Sequence, residues 1–318
     1  MSAGGLLMQV RRAGLLVGAL ALGAGSGPLR CQEPAALDSG ALMRTVRVLA
    51  ADSMEGRRAG TPGGARARRW LLSELRRIGL QPLGKNASFE HAFPLPRGQG
   101  TGVNLLGVIP GTGAPEGYLV LSAHYDHVGM RNGTVFNGAD DNASGTAAVL
   151  ALAEALRRQP LTHSVIVALF DGEEAGLLGA EAFLAKPPVP RAALRLNVNL
   201  DMVGHSESGE LWAAGAGRHP SLRPVLEALQ RRAVVRLRLG HDRPGVPGEK
   251  DWTGDSDHAV FHTAGIAFVY FGVEDHEDYH RPSDDPETLT PAFFAGAVRT
   301  ILDGMRAYTL FLHDALPI

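Results

Sequence analysis

A chain of 318 residues that is 45% hydrophobic and 20% charged has apolar matter for a full core, which excludes a disordered or fibrous protein. A formal net charge of −2 and a pI near 6.6, with no basic stripe, give no electrostatic footing for nucleic acid. Cys31 is the only cysteine, so an intrachain disulfide is excluded as well.

In chain order, residues 1–30 stand apart. Arg11 and Arg12 precede an apolar run to about Gly25 and then small residues, the layout of a secretory signal peptide rather than of a membrane span, which needs about 20 apolar residues. Export to the periplasm or outside the cell follows, and the arginine pair leaves the twin-arginine route open. Leu29 and Arg30 are a poor match to the small residues that a lipid-attachment site needs before Cys31. The arginines within 65–77 alternate with apolar residues at helical spacing, the pattern of a solvated helix face.

Beyond that helix, short β-branched or aromatic runs at 103–108, 118–123, 164–170, 194–200 and 266–271 predict buried strands. Helical patterns at 65–78, 144–158, 175–185, 221–231 and 291–308 alternate with them. The expectation is one three-layer α/β/α domain over 36–308, with a mixed, largely parallel central sheet. Between Phe93 and Val103 there is no room for an inserted lid domain. The closing L-H-D-A-L-P-I resembles the translation of a common sequencing-adapter oligonucleotide, so 309–318 is read as a non-native tail and His313 and Asp314 carry no functional weight.

Five segments end in metal-binding or acid/base side chains: A-H-Y-D-H-V-G from Ala123, G-A-D-D-N-A-S-G from Gly138, F-D-G-E-E-A-G from Phe170, N-L-D-M-V-G from Asn199 and D-Y-H-R-P from Asp278. Each alone has a duller reading. An E-E pair after a strand is often a helix start favoured by the dipole, and Asp, Asn, Ser and Gly are ordinary turn and cap residues. Together they supply two imidazoles and three carboxylates, the donor types zinc accepts. Two ions roughly 3.5 to 4 Å apart need a carboxylate that touches both. Asp141 as bridge, His124 and Asp201 on one ion, and Glu174 and His280 on the other satisfy that count, although the residues alone do not choose between Asp140 and Asp141. Glu173 is then free to move a proton, and Asp126 can accept the second ring N–H of His124. His124, Glu174 and Asp201 each follow a strand closely, as ligands at the carboxyl rim of an α/β sheet do.

The order and context of these blocks resemble the co-catalytic di-zinc aminopeptidases, the group of bacterial leucyl aminopeptidases and, more distantly, carboxypeptidase Q and glutamate carboxypeptidase. The likeness runs over roughly 42–308. It implies two zinc ions held by His124, Asp141, Glu174, Asp201 and His280, Glu173 as general base, and a peptide with a free N-terminus as substrate. The family pattern chooses Asp141 over Asp140 and His280 over His276. It also carries an S-D-H block like the one at Asp257 and His258, where Ser256 or Asp257 can cap a helix. His127 and His205 read as solvent-facing or hydrogen-bonded, and Asn199 as orienting its strand end. A single-zinc glutaminyl cyclase and an inert binding protein on the same fold are the alternatives. Side-chain preference would be set by loops such as 240–254.

Overall fold

The computed structural model describes residues 1–2, 38–83, 85–113 and 117–315. The signal-peptide expectation, Cys31 included, therefore lies almost wholly outside the described residues. The described residues from Asp38 onward form one compact unit.

Helix α1 (Ser39–Leu49) starts where the Asp38 carboxylate accepts the Gly40 N–H at 2.9 Å. Helix α2 (Pro62–Ile78) has a Thr61 cap, Pro62 at its first turn and Gly79 at φ +80° after its end, the asymmetry that helix termini favour. The edge strands β1 (Gln81–Pro82) and β2 (Glu90–Pro94) follow, and β2 turns tightly into β3 (Thr101–Ile109), which leaves no inserted domain there. Then come β4 (Tyr118–His124), a small β5–β6 hairpin (Gly129–Arg131, Thr134–Phe136), α3 (Gly145–Arg158), β7 (Ser164–Phe170), α4 (Leu178–Ala185) and β8 (Leu194–Leu200). The chain closes with β9 (Glu210–Ala214), α5 (Arg223–Gln230), β10 (Arg236–Leu239), α6 (His258–Thr263), β11 (Ala267–Gly272) and α7 (Pro291–Ala315). No described helix is long and apolar enough to cross a membrane.

The sheet runs β1-β3-β7-β4-β8-β11-β9-β10, with β2 also on β3. Its centre, β7-β4-β8-β11, is parallel, and antiparallel pairs flank it on both sides. Alternation along β7 divides the core: Val165, Val167 and Leu169 face the larger layer with α1, α2, α3, α5 and α7, while Ile166, Ala168 and Phe170 face α4 and α6. The three-layer mixed α/β expectation therefore holds. Helix α7 runs past Tyr308, and the buried Thr309, first residue of the expected tail, accepts the His163 N–H at 3.2 Å.

Register places the site. His124 lies opposite Phe170, and Leu200 opposite Phe271, so the carboxyl ends of β4, β7, β8 and β11 form one rim. Beneath it, the fully buried Arg57 donates to the carbonyls of Leu49 (2.8 Å), Tyr125 (2.9 Å), Asn137 (2.5 Å) and Gly138 (2.8 Å). These are the segments leading into the rim.

Candidate metal centre

Two groups of donors meet on this rim and share one aspartate. His124, Asp141 and Asp201 form the first, and His127, Asp141, Glu174 and His280 the second; within each, one donor atom per residue lies within 4.8 Å of the others. In the first, His124 Nε2 is 3.2 Å from Asp201 Oδ1 and 3.3 Å from Asp141 Oδ1. In the second, His280 Nε2 is 3.0 Å from Asp141 Oδ2 and 3.3 Å from Glu174 Oε2, and His127 Nδ1 is 2.8 Å from Glu174 Oε1. The two carboxylate oxygens of Asp141 thus face different groups, which bridging requires. Glu173 belongs to neither, with Oε2 4.0 Å from His124 Nε2.

Local structure explains the placement. His124 ends β4, and the Asp201 N–H is held by the Phe271 carbonyl at 3.1 Å. Asp284 accepts the N–H groups of Asp140 and Asp141 at 2.8 and 3.0 Å, fixing the backbone at the bridge. Asn199 accepts from Ser122 Oγ and donates to Ser256 Oγ, so it orients the strand end as read from the sequence. Asp126 departs from expectation. Its main-chain carbonyl, 3.1 Å from His124 Nδ1, receives the ring N–H, while its carboxylate stands 3.8 Å away and accepts the Glu173 N–H at 3.1 Å. The carboxylate steadies the E-E pair through that N–H instead.

Electrostatics divide the carboxyl groups. Burial disfavours charge on Asp141, yet His127, His124 and His280 hold it well below the ordinary carboxylate range. Burial and Asp141 oppose ionisation of Glu174, and the His127 and His280 imidazoles overcome both to bring it down to about 2. Burial pushes Glu173 well above its usual value, with Asp201 and Asp257 adding to the effect against the pull of His124. Bonds to Asp141 and Glu174 raise His280 to about 10. Ionised carboxylates facing an imidazole that keeps its proton in their company are a donor set for which a divalent cation competes, releasing that proton as it binds. The fit to metal has a second sign. Both ring nitrogens of His127 and Glu174 Oε1 are buried without hydrogen-bond geometry, although 2.8 Å separates Nδ1 from Oε1. Such orphaned groups cost about 1–3 kcal/mol each unless a ligand engages them.

A model of peptidase family M28 matches residues 104–305, more than half the chain. The chain belongs to peptidase family M28. Aminopeptidase YwaD of Bacillus subtilis is 32% identical over 181 residues, 54% of this chain and 36% of that protein. Leupeptin-inactivating enzyme 1 of Streptomyces exfoliatus is 33% identical over 172 residues, 52% of this chain and 34% of that protein. The chain thus spans only about a third of the length of these curated relatives. In fold it is similar to a leucine aminopeptidase precursor from Bacteroides thetaiotaomicron, with a TM-score of 0.69 and 18% identity over 86% of this chain and 98% of that one. It is likewise similar to a zinc aminopeptidase from Bacillus subtilis, with a TM-score of 0.66 and 18% identity over 84% and 95%. The family is the one that the five sequence blocks resemble.

All seven residues singled out for this M28 site from the sequence gather at one cleft or directly behind it. His127 is the residue that sequence reasoning passed over. Read as solvent-facing or hydrogen-bonded, it is instead fully buried inside the second donor group. Its signal was the second imidazole of H-Y-D-H, three residues beyond His124. At the S-D-H block, α6 begins after Asp257 with no side-chain cap, and burial pushes the Asp257 carboxyl up to about 7. The cleft over the two groups has a volume of about 370 Å³ and is walled by Lys250, Trp252, Asp255 and Tyr279, partly from the loop expected to form it.

Proposed function

We propose that this M28 chain is an exported di-zinc aminopeptidase that hydrolyses N-terminal peptide bonds. The carrying observation is the pair of donor groups that share Asp141 while Glu173 stands free beside them. His124 and Asp201 would hold one zinc, Glu174 and His280 the other, and Asp141 would bridge. Once bound, the ions supply Lewis acidity toward the scissile carbonyl and the attacking water.

The chain's own residues do the rest. Glu173 takes the proton of the attacking water and passes it to the leaving amine, a role served by a carboxyl whose affinity for protons burial has raised. Asp126 positions Glu173 through its backbone N–H and His124 through its ring N–H. On the cleft wall Lys250 pairs with Asp255 at 2.8 Å and stands 3.9 Å from Asp275, so a substrate ammonium would meet these carboxylates only in exchange for that lysine. Residues 36–308 are the peptidase domain in this reading, preceded by a leader at 1–30 and followed by a non-native tail within 309–318. Two groups around one aspartate favour two ions over the single-zinc cyclase, and an intact donor set disfavours an inert binder.

The test is turnover of aminoacyl p-nitroanilides by purified protein, abolished by a chelator and restored by zinc, with N-acetylated substrates inert. Inactivity across the panel, or cyclisation of N-terminal glutamine with about one zinc per chain, overturns the proposal.

A further inference from the structure

A second cluster of donors stands beside the catalytic rim and shares no residue with it. His205, His276 and Asp278 each offer an atom within 4.8 Å of the other two. The two imidazoles are stacked, with centroids 4.3 Å apart and planes 17° from parallel. His276 Nε2 lies 3.2 Å from Oδ2 of Asp140, a fully buried carboxylate whose Oδ1 also accepts the Gly204 N–H at 2.7 Å. That contact leaves Nδ1 as the free nitrogen of His276, and it is buried with no partner; so is Nδ1 of His205.

An imidazole anchored by a carboxylate on one nitrogen, with the other bare and screened from water, is the arrangement that metal-binding histidines adopt. Without a ligand the two bare nitrogens are a standing cost. A pocket of about 460 Å³ opens over the histidines, with Glu207, Glu210, Glu274 and Glu277 around it. It gives room for an ion with water; Glu210 is engaged by Arg236 and Arg238 and Glu274 by His241, which leaves Glu207 and Glu277 to draw cations in.

We propose that His205, His276 and Asp278 form a third cation site, which takes a borderline divalent ion such as zinc. Two imidazoles and one carboxylate with an open position suit zinc, whereas magnesium and calcium call for oxygen donors. The site's place in the chain gives it a task. His205 lies four residues beyond Asp201, and His276 four residues before His280. An ion here clamps together the two loops that carry those side chains, and Asp140 links the clamp to the neighbouring Asp141. The site is structural or regulatory, since its pocket shares only Val273 and Asp275 with the catalytic cleft and is lined by neither Glu173 nor any catalytic donor.

The test is zinc bound per chain, measured by mass spectrometry of the full-length protein after dialysis against buffered free zinc, for wild type, His205→Ala and Asp278→Asn. The expected result is about three zinc for wild type and about two for each variant, the catalytic pair staying in place at saturating zinc. Asp278→Asn, a change on a partly exposed loop, carries the test if His205→Ala does not fold. In the Asp141→Ala background about one zinc should remain, and adding His205→Ala should remove it. Two zinc in wild type, or a third ion that survives both substitutions, overturns the third site and leaves the catalytic pair untouched. Inactive protein that still shows the His205-dependent ion would overturn the aminopeptidase reading alone.

Discussion

Replacing Glu173 with Gln removes a charge and almost no volume, so it separates proton transfer from packing. The side chain is 13% exposed, stands outside both donor groups, and has its backbone N–H held by Asp126. Fold and zinc should therefore survive. One side effect must be controlled. Glu173 stands 4.0 Å from His124 Nε2, so loss of this carboxylate weakens the negative field on an adjacent ion. Zinc content and kcat should be measured on the same sample at saturating zinc. Loss of a general base lowers kcat by roughly 10² to 10⁴, about 2.7 to 5.4 kcal/mol at 1.36 per decade. The acid limb of the pH profile should vanish with it. A variant within tenfold of wild-type kcat, zinc in place, would refute the role given to Glu173.

Asp141→Ala should lose both catalytic ions, because each donor group depends on one of its oxygens; bound zinc on the purified variant checks this, and retention of two ions denies the bridge. His127→Ala should weaken one ion of the pair by at least about tenfold, the smallest effect seen for partners of a metal shell. Competition with a chromophoric chelator measures it, and two unchanged affinities would return His127 to a packing role. His258 is buried against the Trp252 carbonyl at 2.9 Å, and burial lowers its pKa to about 3. The unfolded chain then binds the extra proton below about pH 6.5, so stability from the neutral ring is present at pH 7 and lost as pH falls. Urea unfolding should show the advantage of wild type over His258→Gln shrinking by about 2 kcal/mol between pH 7 and pH 5. A gap independent of pH would contradict that.

Long periodic elements were legible in the sequence because burial writes itself into period. β7 and β8 fall at the bounds read from their apolar runs, and β4 and β11 within a residue of theirs. Strand register then made the rim legible, since ligands placed just after strands end on one edge of the sheet. Strands β9 and β10 were not read: both are short, and β10, at the sheet edge, has β9 as its one partner. Helix α1, with Leu42, Met43, Val46 and Leu49 buried, had a readable stripe that was missed behind the leader. His127 and the Asp126 carbonyl were hidden for another reason. Which atom of a residue faces a site depends on the turn after β4, and a spacing of one or two residues cannot specify that turn.

Arg57 bears on how this centre is built. Its planar fork binds carbonyls from three places in the sequence at once, and burial brings its pKa down only to about 10, so it stays charged at neutral pH. A lysine could not span the same acceptors. The loops bearing His127 and Asp141 are thus moored by a permanent internal cation. Zinc then arrives at a finished socket, and chelation should strip activity while leaving the tertiary structure standing, unlike domains whose folding waits for the ion.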